Sequence, residues 1–88
     1  MAKPFHLEIV TPEKLVYSGD VEIVIVPTVT GEEGYMADHV PACKLLKPGS
    51  LRLREPSAKT FLEMQITGGF VDVRGTALVF TDSATPTE

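Results

Sequence analysis

The chain predicts an all-β domain, a β-sandwich or flattened barrel, and three observations carry that prediction. Apolar and polar residues alternate along several short runs, Gly and Pro turns separate those runs at close spacing, and no stretch holds a helical period. Many short strands with such punctuation are the mark of two packed β layers. The 88 residues, 43% of them hydrophobic, suit one small domain with a single core.

The first run sets Phe5, Leu7 and Ile9 on one side of an extended strand and His6, Glu8 and Val10 on the other. His6 is expected beside Glu8 on the wetter face, in a structural role. Thr11-Pro12-Glu13 makes a turn, residues 14–17 a second strand, and Ser18-Gly19-Asp20 another turn. In residues 21–27 both alternating sets are largely apolar, which suits a central strand covered on both sides, and Pro27 ends it by removing a donor.

The next stretch is the least like scaffold. Gly31 and Gly34 bracket Glu32 and Glu33, which predicts a tight, shaped loop with both acids outward at its tip. Residues 40–46 read as a strand of mixed character, and Lys47-Pro48-Gly49 is a strong turn signal leading into Leu51-Arg52-Leu53-Arg54, leucines inward and arginines outward. Residues 55–59 form a hairpin tip. Leu62, Met64 and Ile66 then alternate with Glu63 and Gln65, Gly68-Gly69 breaks or bulges the strand, and residues 70–74 and 77–80 flank a turn at Gly75-Thr76. The sandwich domain is placed at residues 1–84, with a polar tail over 85–88.

Composition excludes several functions. With 8 basic and 12 acidic residues, a net charge of −4 and no basic stripe, the chain is a poor binder of nucleic acid and better matched to basic protein surfaces. Its longest uncharged apolar run, residues 23–27, is far short of the roughly 20 residues a helix needs to cross a bilayer, and the opening residues lack the apolar centre of a signal peptide. The chain reads as cytosolic. Cys43, the one cysteine, allows no internal disulfide or cysteine cage and is expected as a small apolar residue in a packed strand.

No catalytic constellation is present. The sequence has neither a Gly-x-Ser-x-Gly elbow nor a phosphate-cradling Gly-x-x-x-x-Gly-Lys-Ser/Thr loop. Glu32 and Glu33, adjacent on a glycine-flanked loop, lack the cleft that separates the pKa values of paired catalytic carboxylates. Asp38 and His39 lack the further donors a metal site requires. No catalytic residue, metal site or cofactor is expected.

Recognition is the better use of these residues. Gly31-Glu32-Glu33-Gly34, His39-Val40-Pro41 and Lys47-Pro48-Gly49, in that order, resemble the central signature of the epsilon subunit of the rotary proton-translocating ATP synthase, called delta in mitochondria. Val10-Thr11-Pro12 and Tyr17-Ser18-Gly19 resemble the family's opening strands, and Gly68-Gly69-Phe70-Val71 and Thr81-Asp82-Ser83-Ala84 its closing ones. The resemblance implies a sandwich of about ten short strands in two sheets. It also implies a non-catalytic subunit of the central rotor stalk, clasped by gamma and resting on the polar loops of the c-ring. Such a subunit couples proton flow to ATP synthesis, peripherally at the cytoplasmic face of the inner (plasma) membrane. Gly31, Glu32, Gly34 and His39 carry over as c-ring contacts, and Ala42, Cys43, Lys44 and Leu45 as gamma contacts.

The sequence departs from the family pattern in two places. Relatives carry Pro-Gly before the His and a Leu-Leu/Ile-Thr-type run after the Pro, where this chain has Ala37-Asp38 and Ala42-Cys43-Lys44; a lysine there calls for an acidic or carbonyl partner on gamma. Relatives also continue into a helical hairpin that restrains hydrolysis and in some bacteria binds ATP. The expectation here is a short subunit without that hairpin and without ATP binding. Two other readings stay open. One is a free-standing β-sandwich ligand-binding module, against which the absence of Trp and the count of two Tyr weigh; the other is a small enzyme. A lone module should cover the doubly apolar strand at 21–26 internally, whereas a stalk subunit leaves apolar surface near it for gamma.

Overall fold

In the computed structural model, which describes residues 3–87, the first alternating run becomes strand β1 (Phe5–Val10), with Phe5, Leu7 and Ile9 in the core and His6, Glu8 and Val10 half-buried outside. Seven strands follow: β2 (Leu15–Val21), β3 (Ile23–Thr28), β4 (Gly31–Tyr35), β5 (Ala42–Arg54), β6 (Leu62–Val73), β7 (Ala77–Phe80) and β8 (Ala84–Pro86). No helix occurs among the described residues. The strands join in one sheet, in the order β2-β1-β7-β6-β5-β3-β4 with β8 also on β6. The β1–β7 pairing is parallel and the others antiparallel.

Among the described residues the strands number eight where the resemblance implies about ten: β5 and β6 each join two runs that the sequence keeps apart, while β4 and β8 fall where it predicts a loop and, in the main, a tail. Lys47-Pro48-Gly49 does not turn the chain back: Pro48 pairs with Thr67 and Gly49 with Ile66, inside a continuous ladder. The strand bends there instead. On its other side β3 pairs Ile25 with Arg52 but Thr28 with Leu46, so residues 47–51 of β5 stand against residues 26–27 of β3. The core residues of β5 accordingly change from Leu46 to Leu51 and Leu53, from even to odd positions, and those of β6 from Met64 and Ile66 to Val71 and Val73. In β6 the change falls at Gly68 and Gly69, both at positive φ (111° and 115°). A side chain on Gly69 would collide with the backbone carbonyl of Phe80 on β7.

The two long strands bend at the same level, where Leu46 pairs with Gly69, and fold the sheet into the two layers of a sandwich without closing it into a barrel. The core between the layers draws on β1 through β7, from Phe5 to Val79. Each fully buried Leu or Ile in it contributes roughly 1.5–3 kcal/mol relative to exposure. Tyr17 ties β2 to the β5–β6 tip by donating its hydroxyl to Glu55 at 2.7 Å.

Other details differ from expectation. Leu62 pairs with Leu53 at the end of the ladder and stays half exposed. Ile23 and Ile25 are only half-buried on the outer side of β3. Cys43 is exposed, opposite Asp72, rather than packed. Of the residues assigned to the polar tail, Thr85 and Pro86 pair with Gln65 and Met64, and Glu88 lies outside the described residues.

Candidate functional site

The loop expected at residues 31–34 is instead the return strand of a hairpin. Val29 and Thr30 make its tip, and Thr28 pairs with Gly31, whose φ of 127° supplies the tight reversal. The buried Thr28 hydroxyl donates to the Gly31 carbonyl at 2.6 Å and accepts from the Thr30 amide at 3.2 Å. Gly34 takes no left-handed conformation; a Cβ there would make ordinary contact with Ile23 and Ile25 at 3.5–3.6 Å, so it fits those side chains rather than shaping a turn.

Because successive side chains of a strand alternate faces, the two acids separate. Glu32 lies on the outer face, 3.3 Å from the Arg52 guanidinium. Glu33 shares the face of Tyr35, opposite the core residue Val26. Its carboxylate accepts from the Tyr35 hydroxyl at 2.8 Å and from the Lys44 ammonium at 3.2 Å. The Tyr35 hydroxyl bond, then Lys44, hold the Glu33 carboxyl below the usual carboxylate range, with a smaller contribution from His39. Burial of the Tyr35 ring and, after it, the bond to Glu33 push the phenol above its ordinary value.

His39 is exposed, with its ring edge-on to Tyr35 at 4.6 Å between centroids and 84° between planes. Its Nδ1 lies 2.7 Å from the Val40 carbonyl oxygen. A contact between two acceptors would repel, so Nδ1 carries a proton and donates it to that carbonyl.

Alternation also divides residues 42–45. Ala42 and Lys44 face the same side as the core residue Leu46, whereas Cys43 and Leu45 face out. Leu45 belongs to an apolar row that crosses five strands and ends at the β3–β4 hairpin tip. It stands opposite Phe70, Phe70 opposite Phe80, Phe80 opposite Val10, and Val10 opposite Leu15. At the other end the Val29 amide donates to the Leu45 carbonyl at 3.1 Å. Leu15, Val29 and Leu45 are 53%, 59% and 66% exposed. Sequence reasoning found Leu45 alone in this row; the others meet through strand pairings far apart along the chain.

The opposite outer face is charged. Arg52 meets Glu32, Arg54 meets Glu22 at 3.4 Å, and both guanidinium groups lie over the Phe61 ring at 5.8 and 5.7 Å. Ser50 bridges Glu63 and Gln65 beside them. Among the described residues no group of three or more His, Cys, Asp or Glu converges to hold a metal ion.

The family model described as the beta-sandwich domain of the ATP synthase delta/epsilon chain matches residues 4–87. The chain belongs to this delta/epsilon family. Similar curated proteins include the ATP synthase epsilon chain of Desulforamulus reducens, 38% identical over 90% of this chain and 58% of that one. That of Caldanaerobacter subterraneus is 39% identical over 96% and 60%, and that of Rhizobium etli 38% identical over 100% and 65%. The chain thus spans about three fifths of the curated epsilon chains it matches.

Two solved structures share the delta/epsilon sandwich fold. One chain, from the mitochondrial ATP synthase of Euglena gracilis (OSCP/F1/c-ring, rotational state 1), superposes with a TM-score of 0.88 at 24% identity, over 94% of this chain and 53% of that one. The other, from the central stalk and c-ring of the Tetrahymena thermophila mitochondrial enzyme, gives 0.79 at 19% identity, over 94% and 66%.

Proposed function

We propose that this chain is a non-catalytic rotor-stalk subunit of the proton-translocating ATP synthase, which couples proton flow to ATP synthesis by binding gamma and the c-ring at the cytoplasmic face of the inner (plasma) membrane. The observation that carries the reading is the apolar row from Leu15 through Val10, Phe80, Phe70 and Leu45 to Val29. A monomer gains nothing by leaving such a row in water, and a protein partner that covers it recovers its burial energy. It also favours the stalk over a free-standing module, since it leaves apolar surface beside β3 uncovered. In this reading gamma covers the row, with Cys43 and Leu45 at one end. The c-ring meets the hairpin carrying Gly31, Glu32 and Gly34, together with His39. Glu32 then exchanges Arg52 for basic groups on the ring loops, which gives register more than affinity.

Capture experiments test the two surfaces separately. The unaltered chain is expected to hold the gamma subunit and the c-ring of its own organism. Leu45→Asp weakens gamma capture and spares the ring, while Glu32→Lys does the reverse. Failure of the folded, unaltered chain to capture either one overturns the reading.

A further inference from the structure

Glu33, Tyr35 and Lys44 form a connected group between the two proposed surfaces that neither contact uses. The two oxygens of Glu33 have different partners: Oε1 takes the Tyr35 hydroxyl and Oε2 the Lys44 ammonium. Tyr35 is fully buried, so its hydroxyl is a fixed point. Lys44 belongs to β5, which does not pair with β4, so the Glu33–Lys44 contact crosses between strands that share no backbone bonds. The link matters because β4 ends the sheet and is held by β3 on one side only. An edge strand has backbone partners on one side only, so side-chain contacts supply its other links to the sheet.

The neighbours of this group are the proposed contact residues themselves. Glu32 adjoins Glu33, and His39 packs edge-on against Tyr35. Cys43 and Leu45 flank Lys44 on the outer face. We propose that Glu33 is a positioning residue that fixes the ring-facing hairpin to the gamma-facing strand, so that the two surfaces turn as one body. This inference rests on the stalk reading above. It also gives Lys44 a different task from the one its sequence position suggested, because its ammonium engages Glu33 within the chain rather than awaiting an acid on gamma.

Charge reversal tests it in the full chain, assembled with gamma and the c-ring in vesicles. Glu33→Lys and Lys44→Glu each oppose like charges at the contact, and the double variant restores opposite ones. The readouts are capture of gamma, capture of the ring, thermal melting, and protons pumped per ATP hydrolysed. Glu33→Lys is expected to leave both captures intact, and each single reversal to lower pumping per ATP by at least about threefold, with the double reversal returning it to within about twofold of the unaltered chain. A purely structural contact would move the melting point and not this ratio. Single reversals that leave pumping unchanged, or a folded double variant that does not recover, overturn the inference while both captures persist. An unaltered chain that captures neither partner removes the stalk reading and this inference with it.

Discussion

Phe70 and Phe80 lie side by side on the outside of the molecule, their rings stacked at 5.6 Å with 12° between planes, directly opposite each other on β6 and β7. Their strand neighbours Val71 and Val79 fill the core. The largest apolar side chains of these strands therefore face out and smaller ones face in, as expected if the outer face has its own binding role. Phe70→Asp should weaken gamma binding by about 2 kcal/mol, close to thirtyfold, as for a central interface aromatic. Phe70 is only 36% exposed and stacks on Phe80, so the substitution should also lower the melting temperature; calorimetry of binding and of unfolding separates the two effects.

Glu33 should titrate below an ordinary glutamate. The group has a depressed pKa in the folded state, so its stabilising effect is present above the unfolded value of about 4.3 and is lost as pH falls through the folded value. Carbon-detected NMR of the side-chain carboxyls should show Glu33 titrating below the ordinary glutamate value. Tyr35→Phe and Lys44→Met should each move it upward, since both partners stabilise the charged carboxylate.

Both tyrosines should resist alkali. Burial raises Tyr17 and Tyr35, and in each case a glutamate acceptor adds to it. Here the neutral phenol is favoured, so the stabilising effect holds below the unfolded value of about 10 and is lost as pH rises toward the folded values. Ultraviolet titration should show phenolate forming together with loss of the fold. A tyrosine ionising near 10 in the intact fold would contradict this.

Gly69 and Gly34 should differ sharply when changed to alanine. Gly69 combines a positive φ with a carbonyl of β7 in the space a Cβ would need, which predicts a loss of about 3 kcal/mol from strain and displacement. Gly34→Ala should change stability by less than about 0.5 kcal/mol. Urea unfolding of the two variants measures both.

Thr81 should matter for its hydroxyl. It is fully buried, with Oγ1 accepting from the Thr67 amide at 3.3 Å and donating to the Ser83 carbonyl at 3.3 Å, while the Thr67 hydroxyl accepts from the Ser83 amide at 3.1 Å. Thr81→Val keeps the shape and removes the hydrogen bonds, so it should cost about 1–2 kcal/mol in urea unfolding.

The strands were legible where one face alone is buried. Phe5, Leu7 and Ile9, or Leu51 and Leu53, announce their pleat through alternation, a local property of the chain. Lys47-Pro48-Gly49 misled because the residues that make a turn also permit a bend inside a paired strand, and only the ladder to Thr67 and Ile66 distinguishes the two. Glu32 and Glu33 looked alike as neighbours on a loop. Their difference comes from the β4 pleat and from Arg52 and Lys44, partners 20 and 11 residues away. The apolar row was hidden for the same reason, since Val10 and Phe80 become neighbours only through the parallel β1–β7 pairing.

Titration calorimetry of the full chain with the gamma subunit of its own organism tests the central claim most directly, run at several temperatures with Phe70→Asp in parallel. The account predicts saturable one-to-one binding with a negative heat-capacity change from burial of the apolar row, weakened about thirtyfold by the substitution. Absence of binding by the folded, unaltered chain, or equal binding by the variant, would contradict it.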